Sequence, residues 1–137
     1  MTRSLRAGLV LLAFGLAGCA PSATDVSGTV KYNGKPVVTG TVTFNFGTAA
    51  APLAALIQPG GHFTAKNVPC LPATMTVFSP DPKVAEAEEK NSSKGKDFEA
   101  GPKVVGWFPI PVKYLDALQS DVKVTVAKGQ PIDIDLK

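Results

Sequence analysis

Apolar residues recur at every second position in several separate stretches of this chain, and a repeat of two gives an extended strand one buried face while scattering around a helix. Val26, Val30 and Tyr32 alternate with Ser27, Thr29 and Lys31, and Val42, Phe44 and Phe46 with Thr43 and Asn45. Near the end, Val122, Val124 and Val126 alternate with Lys123 and Thr125, then Ile132, Ile134 and Leu136 with Asp133 and Asp135. Shorter runs lie between: Leu53 to Gln58, His62 to Lys66 with Phe63 and Ala65 on one side, and Ala73 to Ser79 with Met75 and Val77 on one side. Turn residues separate them. Asn33-Gly34 accepts positive φ at both positions and predicts a tight hairpin between the first strand and a return strand over Val38 to Phe46. Pro59-Gly60-Gly61 predicts a second turn, Asn67-Val68-Pro69 a break, and Ala127-Lys128-Gly129-Gln130 a last hairpin. About seven strands with turns at intervals of about 8 to 12 residues predict an all-β, antiparallel β-sandwich.

Residues 80–111 interrupt this pattern as an excursion before the last strands. Pro80 and Pro82 open it, Val84 to Lys90 has the character of two helical turns, and Asn91 to Lys96 is polar. A Glu86 to Lys90 pair adds only about 0.2 to 0.5 kcal/mol to so short a helix. The stretch ends on Trp107-Phe108-Pro109-Ile110-Pro111, after which Val112 to Leu118 suits one or two further helical turns.

The first twenty residues follow a different logic. Arg3 and Arg6 precede an apolar run from Ala7 to Ala17, the charge-then-apolar order of a secretory signal. The run falls short of the roughly 20 apolar residues that span a bilayer. It closes on Leu16-Ala17-Gly18-Cys19, which resembles the lipobox of bacterial lipoproteins at every position. That resemblance implies cleavage between Gly18 and Cys19 and a diacylglyceryl thioether on the Cys19 sulfur. Residues 1–18 are then a signal peptide, 19–24 a lipidated tether, and 25–137 the sandwich domain. Two or three acyl chains, at roughly 0.8 kcal/mol per buried methylene, hold a membrane durably. In a host that sorts lipoproteins as Gram-negative bacteria do, the same resemblance, with Ala20 in place of Asp, implies an outer-membrane destination, so the expected location is the cell envelope, facing the periplasm or the cell surface.

Removing Arg3 and Arg6 takes the formal charge from +3 to +1 and leaves no arginine. Phosphate and base recognition rely on the guanidinium fork, so no nucleic-acid partner is expected. With Cys19 lipidated, Cys70 has no partner for a disulfide, and its surroundings offer no group that activates a thiol. The single His62 follows a turn with no nucleophile beside it. Asp133 and Asp135 read as the wet face of the last strand rather than a metal site, and Glu86, Glu88 and Glu89 as solvated carboxylates.

Val26-Ser27-Gly28-Thr29-Val30, Asn33-Gly34-Lys35-Pro36 and Gly40-Thr41-Val42-Thr43-Phe44 resemble the opening of transthyretin-like, carboxypeptidase regulatory-like domains. Gly61-His62-Phe63, Val68-Pro69 and Met75-Thr76-Val77-Phe78 resemble their later block, with Cys70-Leu71-Pro72-Ala73 replacing the usual Pro-Gly turn. Ile110-Pro111-Val112-Lys113-Tyr114 before Val122 to Val126 resembles a subgroup of small planctomycete-type lipoproteins. The resemblance implies a prealbumin-like sandwich without enzymatic activity: the hydrolase of this fold carries a Tyr-Arg-Gly-Ser ending, whereas this chain ends Ile134-Asp135-Leu136-Lys137. No catalytic residue, metal or cofactor is therefore expected. The expected role is a membrane-anchored structural or protein-interaction module, with envelope proteins or glycans as partners. Trp107, Phe108 and Tyr114 are the candidate ligand-binding residues, because aromatic planes stack on sugars and peptides.

Overall fold

A computed structural model of the protein describes residues 21–92 and 104–137. Residues 1–20, which include the expected signal peptide with Gly18 and Cys19, and the lysines at 94 and 96 lie outside the described residues. Eight strands, β1 (Ala23–Tyr32), β2 (Lys35–Pro36), β3 (Gly40–Asn45), β4 (Leu53–Ile57), β5 (His62–Pro69), β6 (Pro72–Phe78), β7 (Lys123–Thr125) and β8 (Ile132–Leu136), carry the fold. Among the described residues, one helix, α1 (Pro82–Ser92), and a single 3-10 turn (Val112–Leu115) lie between β6 and β7. The all-β class is as the alternation predicts. The strands form one continuous sheet in the order β2-β1-β5-β4-β3-β6-β7, with β8 on the other side of β1. This sheet curls into a half-barrel around one core, so that rings two strands apart meet: Phe44 of β3 and Phe63 of β5 have centroids 6.1 Å apart, edge to face.

The faces agree with the two-residue period. Val26 and Val30, Val42 and Phe44, Phe63 and Ala65, Met75 and Val77, and Ile132, Ile134 and Leu136 are all buried. Three connections differ from expectation. Asn33 and Gly34 do make the tight turn, at φ 49° and 77°, but the returning strand is only Lys35–Pro36. Val30 gives its backbone N–H to Gly61, and its carbonyl accepts from Val37. The start of β5 thus occupies the side of β1 along which the hairpin would have continued, and the chain crosses to seat β3 between β4 and β6. Asn67 does not break β5. It takes φ 54° opposite a register shift between Thr24 and Val26, and its N–H bonds the Asp25 carboxylate at 3.1 Å. The bulge absorbs one residue and lets Val68 return to the core.

The third difference is the last connection. β7 and β8 do not pair as a hairpin. β7 pairs antiparallel with β6, and β8 lies parallel to β1 over five registered pairs from Gly28↔Ile132 to Tyr32↔Leu136. Gly28 permits this approach. A side chain there would run into the Ile132 carbonyl oxygen and crowd the Phe63 ring, so β8 can start over β1 only because that position has no Cβ. The Asp133 carboxylate then accepts from both the Thr29 N–H, at 3.1 Å, and the Thr29 hydroxyl, at 2.7 Å. Asp135 likewise accepts from the Gly34 N–H at 3.1 Å. The exposed aspartates fasten β8 to the first hairpin. No helix among the described residues is long and apolar enough to cross a membrane.

Candidate functional site

The three aromatic residues singled out by the sequence lie on the connection that crosses the open side of the half-barrel, and each has a different setting. Trp107 is half-buried, with its indole N–H donating to the Ser79 hydroxyl at 3.1 Å and the Ser79 carbonyl at 3.4 Å. Phe108 is half-buried against Tyr32, centroids 5.9 Å apart and nearly parallel. Tyr114 is 2% exposed. Its hydroxyl donates to the Lys137 carbonyl at 2.6 Å and accepts from the Lys137 N–H at 3.0 Å. The three therefore do not present one open aromatic plane. Tyr114 fills the mouth of the core and clamps the last residue of the chain.

The sequence shows why Tyr114 reaches that place. Pro111 stops any helix upstream, the Tyr114 N–H bonds the Pro111 carbonyl at 3.1 Å, and the resulting single turn points one side chain inward. Val112 and Leu115 on the same turn remain exposed. Asp116 ends the turn by accepting the Leu118 N–H at 2.8 Å. Ser120, buried, then donates its hydroxyl to the Met75 carbonyl at 2.6 Å and aligns β7 on β6. Lys113 lies over the Tyr114 ring, 4.6 Å from its centroid, and 3.6 Å from the Asp121 carboxylate. The Tyr114 phenol and, less strongly, Asp121 push the Lys113 pKa up from its ordinary value, against a smaller opposing effect of desolvation.

Between β7 and β8 is a concave gap of about 350 Å³, lined by Tyr114, Val122, Val124, Ile134 and the polar residues Lys123 and Asp135 among others. A second concavity of about 430 Å³ lies over the β3–β6–β7 end of the sheet, at Asn45, Thr74, Lys123 and Thr125. Sequence reasoning did not locate either. The first exists because β7 and β8 fail to pair, and strand pairing is invisible in a single period-two pattern.

The remaining residues considered for chemistry lie apart. His62 is exposed at the start of β5. Cys70 is a free, half-buried thiol whose N–H bonds the Ser22 carbonyl at 2.7 Å. Glu86 and Glu88 are exposed on α1. Among the described residues, no three His, Cys, Asp or Glu side chains converge in a way that holds a metal ion.

The outer face of β4, β3 and β6 is uncharged across three adjacent strands. Leu56, Thr41 and Phe78 form one cross-strand row and Ala54, Thr43 and Thr76 the next. Leu56 is 74% and Phe78 53% exposed. Asn45 completes the face by donating its amide to the Thr76 hydroxyl and the Thr74 carbonyl, both at 3.3 Å. No family model, no curated protein and no solved structure matches this chain.

Proposed function

We propose that this chain is a membrane-anchored envelope lipoprotein whose half-barrel acts without catalysis, as a structural or protein-interaction module. The observation that carries the reading is Leu16-Ala17-Gly18-Cys19 at the end of a short apolar run, with three residues between Cys19 and the start of the first strand at Ala23. A lipid on Cys19 then holds the domain close to the membrane surface. The polar groups of the described surface support a structural role, since Asp25, Asp133, Asp135 and Asn45 all hold backbone or side-chain partners of the sheet itself. A carbohydrate- or peptide-binding role centred on Trp107, Phe108 and Tyr114 draws less support, because Tyr114 is buried and the Trp107 N–H is engaged by Ser79.

Metabolic labelling with an alkyne fatty acid in a bacterial host tests the anchor. The expected result is a labelled, membrane-fractionating chain that loses both properties in Cys19→Ser and keeps both in Cys70→Ser. An unlabelled wild-type chain in the aqueous fraction refutes the proposal.

A further inference from the structure

The unpaired edges of β7 and β8 have a direction that hydrogen bonds elsewhere in the sheet define. On β7, the Val122 carbonyl accepts from Met75 and the Val126 N–H donates to Leu71, so Val122, Val124 and Val126 turn their backbone groups toward β6. Lys123 and Thr125, between them, turn theirs away. On β8, the Leu136 carbonyl accepts from Asn33, which directs Ile132, Ile134 and Leu136 toward β1. Asp133 and Asp135 share the opposite direction with Lys137, whose N–H and carbonyl both meet the Tyr114 hydroxyl. Four residues, two on each strand, therefore aim their N–H and C=O groups into the gap, and among the described residues no backbone partner meets them.

Counting strand directions across the sheet makes β7 antiparallel to β8. Consecutive antiparallel strands joined by a short turn ordinarily pair. Here Tyr114 fills the end of the gap farthest from that turn and holds Lys137 in place. The result is a pair of facing sheet edges, which in other proteins are shielded against adventitious pairing. The flanks of the gap alternate as a strand's own neighbours would: Val122, Val124 and Ile134 on the core side, Lys123, Asp133 and Asp135 on the solvent side.

We infer that the gap between β7 and β8 receives a short extended segment of a partner polypeptide, which pairs by backbone hydrogen bonds and alternates apolar and polar side chains. This deepens the interaction role proposed above and rests on it. Backbone complementarity identifies the occupant as a peptide strand, since two rows of outward N–H and C=O groups match a third row and no other ligand so directly. At about 3.3 Å per residue, the three residues of β7 admit a segment of roughly three to five residues.

The test supplies a strand in cis. To the full chain, extracted in detergent, a tail Gly-Ser-Gly-Ser-Gly-Thr-Val-Thr-Val-Thr is added after Lys137, so that its flexible first five residues pass around the Tyr114 ring, which holds Lys137, before the strand folds back along β8, antiparallel to β8 and parallel to β7. The inference expects amide exchange at Lys123, Thr125, Asp133 and Asp135 to slow by about tenfold or more relative to the untailed chain. A tail with proline at alternate positions should give no such protection, and Thr125→Pro, which removes only an outward N–H, should weaken it. The inference is overturned if the tail leaves exchange unchanged, or if the four amides of the untailed chain are already as protected as those of β3. Protection that rises with concentration in the untailed chain replaces the partner with a second copy and overturns the assigned occupant. Because this readout does not depend on acylation, its failure is distinct from failure of the Cys19 labelling.

Discussion

Tyr114 shows how much of a small β fold can hang on one side chain. Its ring occupies the open side of the curled sheet, and its hydroxyl serves as both donor and acceptor for Lys137. Tyr114→Phe keeps the ring and removes both bonds. Because Lys137 is exposed, water replaces part of the loss, and the expected cost is about 1 to 2 kcal/mol. Thermal unfolding followed by circular dichroism should show the midpoint falling by roughly 4 to 8 °C, with faster exchange at the Lys137 amide. An unchanged midpoint would mean that packing alone holds β8. The sequence identified Tyr114 as an aromatic of interest, but an isolated Tyr between Lys113 and Leu115 carries no periodicity to say whether it faces the core or the solvent.

At the scale of elements, two leucines make the contrast between pattern and context. Leu136 ends the alternation of β8 and is 1% exposed, while Leu118 follows the 3-10 turn and is 95% exposed. Leu136→Ala should cost about 2 to 5 kcal/mol and Leu118→Ala less than about 0.5 kcal/mol, read from urea midpoints. Comparable losses at both sites would contradict the placement of β8. The faces of nearly every strand were legible in the sequence, since alternation is a local property set by the pleat. Pairing partners were not. The alternation of Ile132, Ile134 and Leu136 indicates which side is buried but is silent on whether β8 joins β7 or β1. What decides is the missing Cβ at Gly28 and the two carboxylates that reach Thr29 and Gly34. The bulge at Asn67 reads as a break in the sequence because asparagine at positive φ is the same local signal in both cases. Of the candidate site, the three aromatics were visible. The gap was not, because it is made of backbone edges.

For the molecule as a whole, a single core cluster takes buried side chains from every strand except β2 and β7, with Val124 of β7 packed against it, and also takes in Tyr114, so no part of the sheet has a core of its own. Denaturant unfolding should accordingly be cooperative. Trp107, tied to Ser79 just beyond β6, reports on the crossing connection, whereas far-ultraviolet circular dichroism reports on the sheet. Their transitions should share one midpoint. Separate midpoints would mean that the connection carrying Tyr114 detaches before the sheet opens. Exposed α1 contributes little to either signal's midpoint, because none of its described side chains joins the core.

The parallel pairing of β1 with β8 has a mechanical consequence. The chain enters the sheet at the foot of β1 and leaves it at the head of β8, with five residue pairs side by side between those points. A pull applied between the two ends slides one strand along the other, loading the whole ladder at once. An antiparallel terminal pair with both ends on the same side would instead peel open one bond at a time. For a domain held by its N-terminal end and loaded at its C-terminal end, the closing strand acts as a shear joint that resists extension until it fails as a unit.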